Sequence, residues 1–451
     1  MHTFEGISIL VFGLGKSGRA VARLLAEKGS DVQASDDVSD AVDAFAREAP
    51  RGIRMVPPGQ ALATAVACDC VVVSPGVPDD HPLLRAARDA GVPVIGEIET
   101  AYRYTQARIV GVTATNGKST TVGIIGEILM HAGIDVVVAG NVGTPFAEVL
   151  RSGDHDTIVL ELSSFQLDTI DQFKCDVAVL LNVTPDHLDR YGDSFNAYAA
   201  SKARILNRAD QDSFYVYNAN DPVTRELAER NPGQCVAFSS TGSLESGVYL
   251  EDGQIRRRWN GVTDTVCERS LFEPVGIHNL ENALAAVAAA IPLGVADNAI
   301  AGALRAYRPL PHRMRQVAVI DDVTYINDSK ATNVDATIKS IQSIDGLTVV
   351  ILGGRDKQGD FAQLGPLSVR IRAAVLIGEA AGKIRGALGA DWNLVDATDM
   401  ANAVSRARDM SQPGDTVLLA PACASFDMFT SYGHRGDVFT ECVLAIAGGA
   451  N

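Results

Sequence analysis

The sequence has 451 residues, 47% of them hydrophobic, which is enough for about three domains with a core each. Its formal net charge of -16 argues against a broad nucleic-acid-binding surface. It also lacks the run of about eighteen uncharged apolar residues that a membrane span needs. Seven scattered cysteines without a paired motif favour reduced thiols, so we expect a cytoplasmic protein that binds neither nucleic acid nor membrane.

The first segment, residues 1–96, has the pattern of a doubly wound domain. A strand is predicted over 8–12, then the turn GLGKSG and a helix over 19–28. Asp36 follows a second strand about twenty positions on, as in dinucleotide-binding folds. The glycines are equally needed for close helix–strand packing, so the pattern leaves a dehydrogenase that uses NAD as one alternative. Another strand, predicted over 70–73, runs into Pro75 and Gly76.

The clearest candidate site lies in the central segment, residues 97–309. A buried strand is predicted over 109–112 and a helix over 119–131, with TNGKST between them. In such a turn the backbone N–H groups face a phosphate, Lys118 adds a positive charge and the Ser119 hydroxyl can hold Mg²⁺. Five residues separate Gly111 from Gly117, whereas a strict P-loop has four, so an ordinary turn of small residues is the competing reading.

Polar residues follow two further predicted strands, over 157–162 and 177–183. Their apolar runs predict a mostly parallel sheet with both faces covered. Glu161 stands at the end of the first strand and is the leading carboxylate candidate for Mg²⁺. His187 follows the second strand, where it is either a ligand or an ordinary polar residue in a turn.

Two later patterns in this segment stay open on the residues alone. Lys202 lies in a helix predicted over 194–208, where its position is typical of a solvated lysine. Asn279 and Asn282 lie three residues apart on one helical face, so their amides could bind a base edge or cap the helix. Short antiparallel strands are predicted around 248–250.

The third segment, residues 310–451, follows a predicted linker at Pro309-Leu310-Pro311. Strands are predicted over 323–326, 348–352, 375–377 and 416–419. Three polar clusters stand at strand ends: NDSKATN (the 327–333 cluster), GGRDK (the 353–357 cluster) and APACAS (the 420–425 cluster). We expect these clusters to form a rim whose lysines and hydroxyls suit an acidic small molecule.

Taken together, these segments resemble the Mur ligase family over almost the whole chain. The matching segments are TNGKST, ELSSFQL, NVTPDHLDRY, HNLENALAA, PHR, NDSKATN, LGGRDK and APACASFD. NDSKATN and ACASFD fit the members that join D-glutamate to UDP-N-acetylmuramoyl-L-alanine. The resemblance implies an α/β fold with a Rossmann-like N-terminal domain, a P-loop-type ATPase central domain and a Rossmann-like C-terminal domain. It further implies an ATP-dependent ligase that works through an acyl phosphate. We expect the protein to be a monomer.

The resemblance also implies a role for each matching residue. Catalytic roles fall to Lys118, His187 and Lys202, the last as a carbamylated lysine, and two Mg²⁺ ions fall to Ser119, Glu161, His187 and Lys202. ATP would be bound by Asn116, Gly117, Lys118, Ser119, Thr120, Asn279, Asn282, Arg313 and Asp328. The uridine diphosphate would be bound by Leu14, Lys16, Ser17, Asp36, Pro75 and Gly76, and the muramoyl-alanyl part by Asn141. D-glutamate would be bound by Lys330, Thr332, Lys357, Ser425 and Phe426.

Two residues depart from the family pattern. Ala114 stands where a glycine is usual, and alanine would be strained there if that position needs a positive φ. Tyr432 stands where a phenylalanine is common. The alternatives within the class are another Mur ligase or a folylpolyglutamate-type ligase. From other classes, a dehydrogenase leaves TNGKST without a purpose, and a nucleotide-sugar-binding protein would release no phosphate.

Overall fold

The computed structural model describes residues 3–274, 276–308 and 312–448, so the predicted linker at Pro309-Leu310-Pro311 lies outside the described residues. The chain forms two compact units. The first contains Met1–Val183, Asn196–Leu271 and Asn282–Ala306, and the second contains Thr184–Phe195, Phe272–Glu281 and Tyr307–Asn451. None of the described helices is long and apolar enough to cross a bilayer. The domain boundaries after residues 96 and 309 stay predictions.

The first unit begins with a parallel sheet of five strands in the order β3-β2-β1-β4-β5. The strands are β1 (Ser8–Phe12), β2 (Asp31–Ser35), β3 (Ile53–Met55), β4 (Cys70–Val73) and β5 (Val94–Gly96). The helices are α1 (Lys16–Glu27), α2 (Ser39–Glu48), α3 (Pro58–Ala65), α4 (Pro82–Asp89) and α5 (Glu97–Tyr102). The strand order reverses between β1 and β4, which opens a crevice at their carboxyl ends.

The second sheet of this unit has nine strands in the order β14-β13-β12-β11-β10-β9-β6-β8-β7. The strands are β6 (Arg108–Thr113), β7 (Val136–Gly140), β8 (Thr157–Glu161), β9 (Val177–Leu180), β10 (Phe214–Asn218), β11 (Gln234–Ser239), β12 (Gly247–Glu251), β13 (Gln254–Trp259) and β14 (Val262–Glu268). The helices are α6 (Lys118–His131), α7 (Phe146–Ser152), α8 (Ser164–Leu167), α9 (Phe195–Ala203), α10 (Pro222–Arg230), α11 (Ile277–Ala290) and α12 (Asp297–Ala306). Among the described strands of this sheet only β13 is reversed, since it runs antiparallel to both β12 and β14, so the sheet is mostly parallel, as predicted.

One strand of this sheet and one helix of the same unit end earlier than predicted. The strand predicted over 177–183 ends at Leu180, because its neighbour β6 ends at Thr113 and offers no further ladder. Beyond that point the Asn182 carbonyl accepts a hydrogen bond from the Thr115 N–H (3.0 Å), which ties the chain to the phosphate loop. The helix predicted over 194–208 is α helix only to Ala203 and then tightens into a 3₁₀ turn.

The second unit contains one sheet of six strands in the order β15-β16-β20-β17-β18-β19, parallel except at β15. The strands are β15 (Arg315–Ile320), β16 (Val323–Asn327), β17 (Thr348–Gly353), β18 (Ile371–Ile377), β19 (Leu394–Asp396) and β20 (Thr416–Leu419). The helices are α13 (Val334–Gln342), α14 (Ala381–Leu388), α15 (Met400–Met410) and α16 (Tyr432–Gly448). Because β16, β20 and β17 are neighbours, the three polar clusters lie at one edge of the sheet, as predicted.

Short helix α5 carries two buried carboxylates that tie it to loops of the nine-stranded sheet. Glu97 Oε1 accepts the Ala147 N–H at the start of α7 (2.7 Å). Glu99 Oε2 accepts three successive backbone N–H groups, from Asp171, Gln172 and Phe173 (2.8–2.9 Å). Desolvation raises the pKa of Glu97 to about 7, against the backbone hydrogen bonds that lower it. Ionisation of Glu97 at high pH therefore weakens the connection between α5 and α7.

We predict that Glu97→Gln changes how the stability depends on pH. The folded-state pKa lies above the ordinary value of 4.5, so wild type loses stability as the pH rises from about 4.5 to about 7, above which the loss levels off. The amide keeps an acceptor oxygen for Ala147 and cannot ionise. By linkage, the free energy of unfolding of the variant should rise by about 3 kcal/mol relative to that of wild type between about pH 4 and pH 8. A difference in stability that does not depend on pH cancels in this comparison.

Urea unfolding at a series of pH values measures this gain. Glu148→Gln is the matched control, because Glu148 lies on the adjacent helix α7 in an exposed ion pair with Arg151. Its stability should follow wild type within about 0.5 kcal/mol across the range. Parallel curves for wild type and Glu97→Gln would contradict the titration assigned to Glu97.

Candidate functional site

The phosphate loop turns sharply at Gly117, the residue before α6. Gly117 adopts a left-handed conformation (φ 94°), and a Cβ added there would lie 2.2 Å from Asn282 Oδ1. The same Oδ1 accepts a hydrogen bond from the Thr121 hydroxyl (3.3 Å). The loop therefore requires glycine at 117, for its conformation and for its packing against Asn282.

Two lysine side chains converge on one carbonyl of this loop. Lys118 Nζ and Lys202 Nζ each donate to the Ala114 carbonyl oxygen at 2.7 Å, and Lys118 also donates to the Thr115 carbonyl (3.0 Å). Lys202 is only 1% exposed, with Nζ 4.6 Å from the centre of the Tyr198 ring. Two like charges on one acceptor repel each other, and an anion bound between them relieves that repulsion. The solvated Lys202 suggested by its helical pattern is not found.

Ala114 is not strained in this loop. It is not among the described non-glycine residues with positive φ, and its side chain is fully buried. The departure from the usual glycine therefore leaves the backbone in an ordinary conformation.

The hard oxygen donors beside this loop fit Mg²⁺. Glu161 ends β8, is 2% exposed and accepts a hydrogen bond from Asn141 Nδ2 (3.0 Å). It pairs with Val112 of β6, two residues before the loop, while Ser119 is buried in the first turn of α6. Within the described residues no three His, Cys, Asp or Glu side chains cluster as metal ligands. One carboxylate and one hydroxyl suit Mg²⁺, whose other ligands are commonly phosphates and water.

A cleft of about 480 Å³ opens at the carboxyl ends of β1 and β4, where the strand order of the first sheet reverses. Its lining includes six residues that were predicted to bind substrate: Lys16, Ser17, Asp36, Pro75, Gly76 and Asn141. Leu14 is placed differently, since its side chain is buried and its backbone N–H donates to Asp36 Oδ2 (2.6 Å). Lys16 Nζ donates to the Gly143 carbonyl, so the glycine-rich turn contacts the loop that carries Asn141.

In the second unit, the loop with His187 contacts a lysine from the 353–357 cluster. Asp186 Oδ1 accepts from Lys357 Nζ and Asp186 Oδ2 accepts from Asn333 Nδ2, both at 3.1 Å. Burial opposes a charge on Asp186, but Lys357 and His187 outweigh it and lower the pKa of the carboxyl group. His187 itself has a left-handed backbone (φ 54°), and its Nε2 lies 3.7 Å from Asp186.

Asp328 and Arg313, both predicted nucleotide ligands, are also neighbours in this unit. Asp328 accepts hydrogen bonds from the Ser340 hydroxyl and the Met314 N–H. Burial raises the pKa of Asp328, while the Ser340 hydrogen bond and the charge of Arg313 lower it. These contacts hold the Asp328 carboxyl group in a fixed position near Arg313.

The predicted D-glutamate residues lie at the ends of the parallel strands. Lys330 Nζ stands 4.1 Å from the centre of the Tyr432 ring, and the Thr332 N–H donates to the Lys330 carbonyl (2.7 Å). Ser425 is buried, whereas the neighbouring Phe426 is 64% exposed. Lys330, Thr332, Ser425 and Lys357 lie in the three clusters that the sequence predicted, and Phe426 directly follows the last of them.

Sequence reasoning missed the role of two residues in these loops. Asn182 Oδ1 accepts the Asn116 N–H (2.9 Å) and Asn182 Nδ2 donates to the Asn116 carbonyl (3.0 Å), so this amide fixes the phosphate loop. Asp186 holds Lys357. Both belong to NVTPDHLDRY, and their position just after a strand was the available signal.

The sequence matches three family descriptions in succession. Residues 7–96 match the Mur ligase MurD-like N-terminal domain, residues 112–290 match the Mur ligase middle domain, and residues 312–423 match the Mur ligase glutamate ligase domain.

Relatives and solved structures agree with these matches. A protein of Pelotomaculum thermopropionicum named UDP-N-acetylmuramoylalanine--D-glutamate ligase is 43% identical over 455 residues, covering 100% of both chains. One of the same name from Acidobacterium capsulatum is 42% identical, covering 99% of this chain and 98% of its own. Among solved structures, a pseudomurein peptide ligase type C from Methanothermus fervidus superposes with a TM-score of 0.62 at 21% identity, covering 98% of this chain and 100% of that chain. Folylpolyglutamate synthase of Mycobacterium tuberculosis does so with a TM-score of 0.58 at 13% identity, covering 75% and 92%.

We predict that Gly117→Ala weakens nucleotide binding as well as stability. The added methyl group would overlap Asn282 and sit on a left-handed backbone, which should cost about 1–3 kcal/mol. Displacing the loop should raise the Kd for ATP at least about tenfold. Thermal unfolding and titration with a fluorescent ATP analogue measure the two effects.

Gly133→Ala is the matched control, because Gly133 follows the other end of α6 with φ 74° and has nothing within 4 Å of an added Cβ. It should lose about 1 kcal/mol and bind ATP as wild type does. Equal ATP affinity in Gly117→Ala and Gly133→Ala would contradict the assignment of the loop to the nucleotide.

Proposed function

Because this chain belongs to the Mur ligase family, we propose that it joins D-glutamate to UDP-N-acetylmuramoyl-L-alanine with the use of ATP. Relatives that are 42–43% identical over nearly their whole length carry the name of this activity, which supports the prediction made from NDSKATN and ACASFD. The structural observation that carries the proposal is the pair of lysines on the Ala114 carbonyl. We place the reaction in the cytoplasm, as a step in peptidoglycan precursor synthesis carried out by a monomer.

The reaction needs ATP because a free carboxylate repels nucleophiles and has no good leaving group. An oxygen of the alanyl carboxylate attacks the γ-phosphorus, and ADP leaves. The amine of D-glutamate then attacks the carbonyl carbon of the acyl phosphate and loses a proton, and inorganic phosphate leaves from the tetrahedral intermediate. Both steps gather negative charge, which the protein must offset with cations and N–H donors.

The phosphate loop supplies part of that offset. Lys118 would contact the β- and γ-phosphates, helped by the backbone N–H groups from Gly117 to Thr120. Asn116 would support this loop from beside the nucleotide, since its N–H donates to Asn182 Oδ1. Ser119, Glu161, His187 and Lys202 would hold two Mg²⁺ ions, which would neutralise charge on the phosphates.

Carbamylation of Lys202 fits its surroundings. The side chain is almost fully buried and shares its acceptor with the ammonium group of Lys118, so a second positive charge is disfavoured there. The neutral amine would add CO₂ and release a proton to solvent, which gives a carbamate anion that attracts Lys118. The modified residue could then serve as a metal ligand.

The remaining site residues would bind the nucleotide, the UDP-linked substrate or the amino acid. Asn279, Asn282, Arg313 and Asp328 would bind ATP, and Leu14, Lys16, Ser17, Asp36, Pro75, Gly76 and Asn141 would bind the UDP-linked substrate. Lys330, Thr332, Lys357, Ser425 and Phe426 would bind D-glutamate. Lys357, now paired with Asp186, would share its charge with a substrate carboxylate.

The first test follows phosphate release. We expect the protein, UDP-N-acetylmuramoyl-L-alanine, ATP and Mg²⁺ to release phosphate continuously with D-glutamate. Release with L-glutamate, L-lysine or no amino acid should stay below about 1% of that rate. L-lysine lacks the second carboxylate, and L-glutamate has the opposite configuration, so that its amine is misdirected when both carboxylates are bound. A malachite green assay with each amino acid decides between this ligase and the alternatives. Release with L-lysine alone would assign a different Mur ligase, and no release at all would leave a binding protein.

The second test addresses Lys202. Lys202→Ala should lose at least about 100-fold in kcat, and formate or acetate should restore part of it by standing in for the carbamate. Lys174→Ala is the control, because Lys174 pairs with Asp210 outside the loop. It should retain wild-type activity and gain nothing from added acids. Full activity of Lys202→Ala without acids would remove this residue from the mechanism.

A further inference from the structure

Arg435, on the first turn of α16, is the largest fully buried side chain among the described residues, with 1% exposure. It forms no salt bridge within the part of the chain that the structure describes, and four oxygen atoms accept its hydrogen bonds. Nε donates to the Ser329 hydroxyl (3.0 Å), Nη2 to the Ser329 carbonyl (2.9 Å), and Nη1 to the carbonyls of Cys423 (3.1 Å) and Ala424 (3.2 Å). A guanidinium group without a carboxylate partner is costly to bury, so its retention calls for an explanation.

The acceptors of Arg435 belong to two of the three strand-end clusters. Ser329 lies in the 327–333 cluster, one residue before Lys330, and Ala424 lies in the 420–425 cluster, one residue before Ser425. The planar guanidinium group spans both, because its donors point in fixed directions. The residues on either side of this contact are those proposed to bind D-glutamate.

The 353–357 cluster also packs against Arg435. A Cβ added to Gly354 would lie 3.1 Å from Arg435 Nη1 and 2.2 Å from the Ala424 carbonyl, on a backbone with φ 133°. Arg355 and Ala424 exchange two backbone hydrogen bonds (2.9 and 3.0 Å). Glycine at 354 is thus what allows the third cluster to close on the arginine.

We propose that Arg435 is a positioning residue that sets the affinity for D-glutamate by fixing the three strand-end clusters relative to one another. The first turn of α16 contacts the 327–333 cluster in two further places. The Tyr432 carbonyl accepts a hydrogen bond from the Ser329 hydroxyl (2.8 Å), and the Tyr432 ring packs against Lys330 Nζ. Arg435 touches no substrate and acts through the loops that carry Lys330 and Ser425. This inference rests on the proposed function.

Arg435→Lys provides the test, because lysine keeps the charge and cannot span two loops. The KM for D-glutamate should rise at least about tenfold. The KM for ATP and the formation of acyl phosphate without D-glutamate, trapped as the hydroxamate by hydroxylamine, should stay within about twofold of wild type. A variant that is merely destabilised would instead lose both reactions in proportion to its folded fraction.

Arg372→Lys is the matched control, because Arg372 lies near the amino ends of the strands and pairs with Asp415. It should lose stability and keep the wild-type KM for D-glutamate. Ser329→Ala gives a milder second variant, with an expected rise in KM of about threefold, and it decides the question if Arg435→Lys does not fold.

An unchanged KM for D-glutamate in Arg435→Lys, or in Ser329→Ala where the arginine variant does not fold, overturns the inference. An equal rise in KM in Arg372→Lys does so as well. Absence of product formation by wild type with D-glutamate overturns the proposed function instead, so the two failures are distinguishable.

Discussion

The Ala114 carbonyl is the point on which the first unit depends, because it accepts hydrogen bonds from both Lys118 and Lys202. Strand β6 brings this carbonyl to the carboxyl edge of the sheet, and Asn182 holds the following backbone in place. The left-handed turn at Gly117 then starts α6 with its N–H groups directed at the same region. The ammonium group of Lys118 and a helix N-terminus in one place make a site that favours a polyanion before any ligand is considered.

The second unit uses buried charge for a different purpose. Its sheet is covered by apolar residues on both faces, with Leu352 and Leu376 in one cluster and Ile351 and Val375 in the other. That burial can offset the desolvation of a few charged groups at the strand ends. Those groups hold loops: Arg435 binds carbonyls, and Asp186 binds Lys357. Positioning of the substrate lysines therefore depends on charges that no substrate is proposed to touch.

Local patterns predicted most of the fold. Strands β1, β4 and β20 lie where predicted, because apolar and β-branched runs buried on both faces leave few alternatives. Helix α1 begins at Lys16, three residues before the prediction, since its first turn is built from the glycine-rich turn itself. The predicted family and fold class are confirmed, while the site residues stay predictions that the geometry now organises. Arg435 was not predictable, because its burial depends on Ser329, 106 positions away, and a lone arginine on a helix is typical of a surface.

We propose that the second unit selects the amino acid, and physical grounds support this proposal. The solved ligases that share this fold at 13–21% identity show that the architecture alone does not specify a substrate. D-glutamate carries two carboxylates, and Lys330 and Lys357 supply two cations from different clusters of one sheet edge. An amino acid with a cationic side chain would bring a like charge to one of those lysines, at a cost that its other contacts could not offset. Discrimination then depends on how rigidly the separation between the two lysines is maintained, which is a property of the strand-end clusters more than of either lysine.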